Sequence, residues 1–136
     1  MSEMPPSTTY AVRVRYYETD QMQVAHHAHY LVWFEAARSE YCRVFGVNYR
    51  AMEESGYFLP IIEAKCRYRT SARYDDELEI RVSLAELTRR TLRMHYEVWR
   101  EGTKLAEGET LQMLVGKEGK PRTFPDEMAA KFRGEK

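Results

Sequence analysis

The chain is predicted to fold as an α+β domain in which a curved antiparallel five-stranded sheet wraps around one long central helix. Three observations carry this. Ala28–Phe45 contains neither Gly nor Pro and is followed by Gly46. The later segments Glu77–Thr88, Thr91–Trp99 and Lys104–Val115 alternate with period two, which reads as strands. Their joints, Arg89-Arg90 and Glu101-Gly102-Thr103, are short, which forces neighbouring antiparallel pairing. A sheet with one dry face needs a cover, and the helix is the only large apolar element available.

In chain order, Met1–Thr9 carries two prolines and four Ser/Thr residues and reads as a loose leader, leaving one domain over 10–136. Tyr10–Tyr16 alternates Tyr10, Val12, Val14 and Tyr16 with Ala11, Arg13 and Arg15 and reads as a strand. Tyr17–His27 has no period and reads as a loop. The helix Ala28–Phe45 is about 27 Å long at 1.5 Å per residue, with Gly46 as its stop. Its first half, Ala28–Phe34, is apolar all round except His29, and a polar stripe of Glu35, Arg38, Ser39 and Arg43 follows. This predicts a first half wrapped on every side and a second half that emerges. A short helix is expected over Tyr49–Ser55, ending at Gly56, and a strand over Phe58–Thr70 with Pro60 near its start. Lys104–Val115 places Leu105, Leu111, Met113 and Val115 on one face and Ala106, Gly108, Thr110 and Gln112 on the other. Pro121–Pro125 ends the sheet, and Asp126–Phe132 reads as a terminal helix capped by Asp126. The open sheet edges favour pairing with a second copy.

Composition narrows the function classes. The 136 residues suffice for one domain, and 43% hydrophobic with 31% charged residues argues against disorder. Lys+Arg and Asp+Glu both number 21, so a general nucleic-acid or membrane-surface binder is disfavoured, while local basic clusters for a small anion are not. The longest apolar run, Tyr30–Phe34, is far short of the roughly 20 residues of a membrane span. Met1–Tyr10 holds no apolar signal region. Cys42 and Cys66 fit no metal ribbon or redox pair. A cytoplasmic protein with reduced thiols is expected. There is no P-loop, GxGxxG or GxSxG.

Several residues carry candidate chemistry. Asp20, with Glu18, lies in the loop before the helix, where a carboxylate meets free N–H groups and the positive dipole end; the alternative is a loop cap. His26, His27 and His29 crowd the helix start, but lack i, i+4 spacing or a companion Cys, so no metal is assigned; the alternative is a polar mouth. Arg89-Arg90, near Arg93, suits phosphate or is a solvated turn. Arg67, Arg69 and Arg73 read as a basic line or the wet face of a sheet. Glu35 is either an acid beside the site or the start of the polar stripe. His95 has no assigned role, and the cysteines read as small core residues.

Tyr16-Tyr17-Glu18-Thr19-Asp20-Gln21-Met22-Gln23-Val24-Ala25-His26-His27-Ala28-His29-Tyr30, continuing through Phe34-Glu35-Ala36-Ala37-Arg38, resembles the opening of the hotdog-fold acyl-CoA thioesterases. The branch it most resembles is the 4-hydroxybenzoyl-CoA thioesterase family, which includes the Tol-Pal-associated thioesterase. Ser71–Leu78 and the Arg89-Arg90 turn are similar to that family too, so the resemblance spans about residues 10 to 125. It implies hydrolysis of a small acyl-CoA thioester with no metal or organic cofactor. Asp20 falls on the family's catalytic Asp, acting as nucleophile or general base. The His27 backbone N–H falls on the oxyanion donor, and its side chain matches a histidine of the Tol-Pal-associated branch. Arg89 and Arg90 fall where members bind CoA phosphates, often across a subunit boundary. Family members are homodimers, often paired into homotetramers. Pocket walls are expected from Tyr17, Trp33, Phe34, Phe58, Pro60 and Ile62, with Glu35 beside the substrate.

Three positions depart from the family pattern. Gln23 stands in a loop region that usually holds Gly, so either Gln23 is strained or the loop runs differently. His29 replaces the usual Asn before Tyr30, and Thr91 follows the Arg pair where one member has Lys. A non-catalytic acyl-thioester binding module, on acyl-CoA or acyl carrier protein, is the alternative reading. An acyl-CoA hydratase lacks its expected Asp/His or Glu/His arrangement.

Overall fold

The computed structural model describes residues 4–135; Met1–Glu3 of the expected leader lie outside the described residues. The elements are β1 (Ser7–Arg13), a 3₁₀ turn (Tyr16–Glu18), α1 (Ala28–Phe45), α2 (Tyr49–Glu54), β2 (Ile61–Tyr68), β3 (Glu77–Leu87), β4 (Thr91–Arg100), β5 (Thr103–Met113) and α3 (Asp126–Phe132). The five strands form one antiparallel sheet in the order β1-β3-β4-β5-β2. β1 and β2 are therefore its edges. Among the described residues no helix is long and apolar enough to cross a membrane.

α1 lies on the inner face of the sheet. Tyr30, Trp33, Phe34, Ala37, Arg38, Tyr41 and Cys42 are buried, an i, i+3, i+4 stripe along the whole helix. This corrects the expected wrapped first half: Leu31 and Val32 are 41% and 51% exposed. Those residues fall on the opposite side of the helix, and only one side meets the sheet. Gly46 ends α1 with φ +81° and its N–H on the Cys42 carbonyl, a turn that a Cβ would strain.

Strand limits shift for local reasons. β1 starts at Ser7, inside the segment that composition reads as leader, because Ser7, Thr8 and Thr9 pair with Ser83, Val82 and Arg81. It ends at Arg13 rather than Tyr16, where the chain tightens into the 3₁₀ turn. β2 starts at Ile61; Phe58 makes only an isolated bridge to Val115. Asp126 does not cap α3, since Pro125 holds the N-cap position and Asp126 is already helical.

β5 carries the largest departure from the alternation. Ala106, Gly108, Thr110, Gln112 and Leu114 face inward, while Leu111 and Met113 are half-buried on the outer side. Val98 pairs with Ala106 and Trp99 with Lys104, so Leu105 is an extra, bulged residue. The bulge lets both Leu105 and Ala106 be buried and flips the parity of all that follows. Small inward residues are needed there because α1 approaches closely. A Cβ at Gly108 would lie 2.3 Å from the Lys65 carbonyl oxygen and 2.7 Å from the Phe34 ring. Phe34 in turn stacks on Tyr96 at 4.4 Å between ring centroids.

Candidate active site

The loop between β1 and α1 closes on itself. Thr19 bridges Ala25, Asp20 N–H donates to the Val24 carbonyl at 3.0 Å, and Gln23 N–H to the Asp20 carbonyl at 2.9 Å. Gln23 adopts φ +62°, so the loop keeps the left-handed turn that glycine would adopt freely, at the cost of strain. Inside this turn, Asp20 Oδ1 accepts Met22 N–H at 2.8 Å and Val24 N–H at 3.3 Å. One carboxylate oxygen is thus fixed by the backbone. The other is bonded to no described residue, and Asp20 is exposed.

The segment 72–74 backs the loop. Ala25 N–H donates to the Ala72 carbonyl at 2.8 Å, Val24 bridges Arg73, and Tyr74 N–H donates to the Gln23 carbonyl. Ala72 N–H in turn donates to the Tyr30 hydroxyl at 3.0 Å. Burial lifts the Tyr30 phenol above its ordinary value, so it stays protonated at neutral pH. Glu18 anchors the other side. It is 1% exposed, its carboxylate accepts Arg15 N–H at 2.7 Å and the Trp33 indole N–H at 3.0 Å, and its carbonyl accepts His26 N–H at 2.8 Å.

His26–His29 form the mouth of α1. His26 Nδ1 accepts Ala28 N–H at 3.2 Å, capping the helix with a side chain one residue before its N-cap, His27. The His26 and His27 rings stack at 4.2 Å. Tyr68 of β2 donates its hydroxyl to the His27 carbonyl at 2.9 Å. The His27 N–H itself is bonded to no described residue. A backbone donor at the positive end of a helix thus stands free, one short loop away from Asp20.

The expected site residues divide into four groups. Asp20 and Tyr17 lie in the segment that leads into α1 and His27 is the N-cap of that helix, with the Tyr17 ring 6.0 Å from His29. Glu35 is exposed on the outer face of α1, on the side of Leu31 and Val32. Trp33 and Phe34, expected as pocket walls, are 2% and 0% exposed; Trp33 is committed to Glu18 and Phe34 to the sheet, so neither presents a surface in this chain. Pro60, Arg89 and Arg90 lie at the other end. Arg13, Tyr68, Glu77 and Arg100 mark the loop end of the sheet, and Ile61, Leu87, Leu92 and Met113 mark the far end. At about 3.3 Å per residue the strands separate these ends by roughly 30 Å. One chain therefore does not bring Asp20 and Arg89-Arg90 together.

Glu18, Tyr30, Tyr68 and the capping side chain of His26 were not assigned site roles from the sequence. Glu18 had a signal as a possible loop cap and His26 as part of a polar mouth; a strand tyrosine such as Tyr68 carries none. On the outer face, ligand atoms of His95, Glu97 and Glu107 cluster within 4.8 Å. Lys104 Nζ already sits 2.8 Å from Glu97 and 3.3 Å from Glu107, and Arg69 lies 2.6 Å from Glu107. An ammonium group occupies the position a cation would take. Arg69 and Lys104 hold the Glu107 carboxyl down at about 2.

Comparison with known proteins agrees with this fold. Residues 14–132 match the Thioesterase-like superfamily. The chain is similar to the acyl-CoA thioester hydrolase YbgC of Escherichia coli, 31% identical over 124 residues, covering 90% of this chain and 92% of that one. Hypothetical protein TT1821 of Thermus thermophilus superposes with a TM-score of 0.87 at 37% identity, covering 91% and 95% of the two chains. DHNA-CoA thioesterase of Staphylococcus aureus does so with a TM-score of 0.86 at 28% identity, covering 91% and 87%. With a hotdog architecture, a loop carboxylate and a free helix N-terminal donor, the chain belongs to the Thioesterase-like superfamily of hotdog-fold hydrolases.

Proposed function

We propose that the chain hydrolyses a small acyl-CoA thioester to free acid and CoA, with Asp20 as base or nucleophile and the His27 N–H as oxyanion donor. The observation that carries this is an Asp20 carboxylate pinned in the loop that leads into α1, together with an unbonded N–H of His27 at the helix start. In the general-base route, Asp20 takes a proton from water and the hydroxide adds to the thioester carbon. The carbonyl oxygen gains the charge and is received by the His27 N–H; the C–S bond then breaks and the thiolate takes the proton back. In the nucleophilic route, the carboxylate itself adds, the thiolate leaves, and water opens the anhydride. Both routes need the same oxyanion donor, typically worth about 10²–10³ in rate. Neither draws on a metal or organic cofactor.

The site is completed in this reading by a second copy. β2 is an open edge, with Ile61, Ile62 and Tyr68 45%, 52% and 46% exposed. Antiparallel pairing of two β2 edges would set the Ile61 end of one copy beside the Tyr68 end of the other. That arrangement delivers Pro60 and the Arg89-Arg90 turn of one copy to the Asp20 loop of its neighbour. The acyl group then lies against Tyr17 and Glu35, and the CoA phosphates against Arg89 and Arg90. A homodimer or homotetramer is the expected form. The free cysteines Cys42 and Cys66 suit a reducing, cytoplasmic setting.

The rival binding-module reading rested on the departures at Gln23 and His29. Gln23 nevertheless keeps φ +62° and the loop stays closed on Asp20, which favours the enzyme. The test is thiol release from benzoyl-, 4-hydroxybenzoyl-, short-chain and long-chain acyl-CoA. Release well above background on at least one substrate is expected. Tight binding of the panel without release would support the binding module instead.

A further inference from the structure

The start of α1 leaves one donor free, and the bonds of His26 bracket it. The N–H groups of a first helical turn have no partner within the helix and must find one outside it. The His26 N–H donates to the Glu18 carbonyl at 2.8 Å, the His29 N–H to the His26 carbonyl at 3.0 Å and the Tyr30 N–H to the His27 carbonyl at 3.3 Å. The Ala28 N–H donates to the His26 ring at Nδ1, 3.2 Å away. Of the N–H groups from His26 to Tyr30, only that of His27 is bonded to no described residue.

An imidazole nitrogen accepts a hydrogen bond only when it carries no proton. The Ala28 bond therefore defines His26 as the neutral ring with its proton on Nε2. A protonated His26 would aim one N–H at another and set a positive charge at the positive end of α1. Its surroundings do not compensate that charge. On the same segment the His27 ring stacks on it at 4.2 Å and the His29 ring lies 6.2 Å away. In the 3₁₀ turn, the Glu18 carboxylate is bonded to the Arg15 N–H and the Trp33 indole, and Tyr17 faces His29. From β2, Tyr68 faces the His27 ring at 6.4 Å with its hydroxyl on the His27 carbonyl. In the loop, Asp20 directs one carboxylate oxygen to the Met22 and Val24 N–H groups, and Arg73, which bridges Val24 from behind, is itself positive. Among the described residues the one histidine within ion-pair distance of a carboxylate is His95.

We propose that His26 is a positioning residue for the oxyanion donor: its neutral ring takes the Ala28 N–H, its carbonyl takes the His29 N–H, and the His27 N–H is left as the donor that a thioester oxygen meets. This rests on the thioesterase reading above and adds to it a requirement on the charge of His26. As pH falls through the ordinary imidazole range, about 6.5, the acceptor disappears and the Ala28 N–H is released. The turn that orients the His27 donor loosens, so the chemical step slows while acyl-CoA binding is little changed.

The test joins long-range ¹H–¹⁵N NMR of the imidazoles and the Ala28 amide with kcat and KM from about pH 8 to about pH 5.5. The proteins are the parent, His26→Asn, His26→Phe and His29→Asn, on the best acyl-CoA of the panel. At pH 8 His26 is expected to carry its proton on Nε2, and the Ala28 amide signal should follow its titration. His26→Phe keeps a ring to stack on His27 but no acceptor. Its kcat is expected to fall about fivefold at pH 8, the equivalent of one lost helix cap, with KM near the parental value. His26→Asn keeps an acceptor that does not titrate. It should hold the parental kcat at pH 8 and lose less of it than the parent toward pH 5.5, whereas His29→Asn should keep the parental profile. A carboxylate base ordinarily titrates near about 4, so this fall reads an imidazole and not Asp20. A His26 protonated on Nδ1 at pH 8, parental kcat in His26→Phe, or an unchanged fall in His26→Asn would each overturn the inference and leave the thioesterase reading intact. The expected NMR signatures with no thiol release from any acyl-CoA would uphold the single free donor that His26 leaves and sink the thioesterase reading.

Discussion

The Trp33 indole N–H donates to Glu18 Oε2 at 3.0 Å in the interior of the chain. This bond ties the second turn of α1 to the loop that carries Asp20. The same Glu18 accepts Arg15 N–H through its other oxygen and His26 N–H through its carbonyl. One buried residue therefore holds both the loop that carries the Asp20 carboxylate, two residues on, and the mouth of the helix. Glu18→Gln keeps the shape but removes the charge that strengthens both side-chain bonds. It is expected to lower stability by about 1–3 kcal/mol. Urea unfolding at neutral pH measures this, and the turnover number should fall while the KM changes little.

Gln23 is strained where a glycine would not be. A left-handed residue costs about 1–2 kcal/mol, and the extra backbone freedom of glycine returns about 0.5–1 kcal/mol of that. Gln23→Gly is therefore expected to stabilise the fold by up to about 1 kcal/mol and to leave acyl-CoA turnover within about twofold. A drop in the urea midpoint would contradict the strain account.

Gly108 lies where α1 comes closest to the sheet. Its added Cβ would meet backbone at 2.3 Å and the Phe34 ring at 2.7 Å, and the Lys65 carbonyl cannot swing away as a side chain can. Gly108→Ala is expected to cost at least about 1–3 kcal/mol, the usual penalty of overpacking. A melting temperature equal to the parent would show that β2 and α1 yield more easily than this packing implies.

The Glu107 carboxyl, held down at about 2 by Arg69 and then Lys104, gives a pH dependence of defined sign. Its ordinary value is about 4.3. The folded state therefore gains from this group at all pH values above that, and the gain is lost as pH falls from about 4.3 toward 2. Glu107→Gln should be less stable than the parent at pH 6 and approach it near pH 2. Paired thermal melts across that range check the convergence.

The sequence made some layers legible and others not. α1 and its Gly46 stop, the order of the strands and the Arg89-Arg90 turn follow from period and turn chemistry alone. Asp20 and His27 stood out by their place at the start of the helix, and only the resemblance gave them roles. The inward face of β5 was not legible, because the Leu105 bulge is invisible to a period-two pattern and the helix selects small residues there. The exposed side of α1 was misjudged for a related reason: an apolar surface reads the same whether the chain's own sheet or a second copy covers it. The supporting roles of Tyr68 and Tyr30 depend on contacts between residues 41 or 42 positions apart, which no local pattern encodes.

The most direct test of the account is the turnover of Asp20→Asn beside the parent on the best acyl-CoA substrate. The substitution keeps an oxygen for the Met22 and Val24 N–H groups, so the loop and the melting temperature should be retained. It removes the base or nucleophile, and turnover is expected to fall by about 10²–10⁴. An Asp20→Asn protein that is folded and releases thiol at the parental rate would contradict the assignment of the reaction to Asp20.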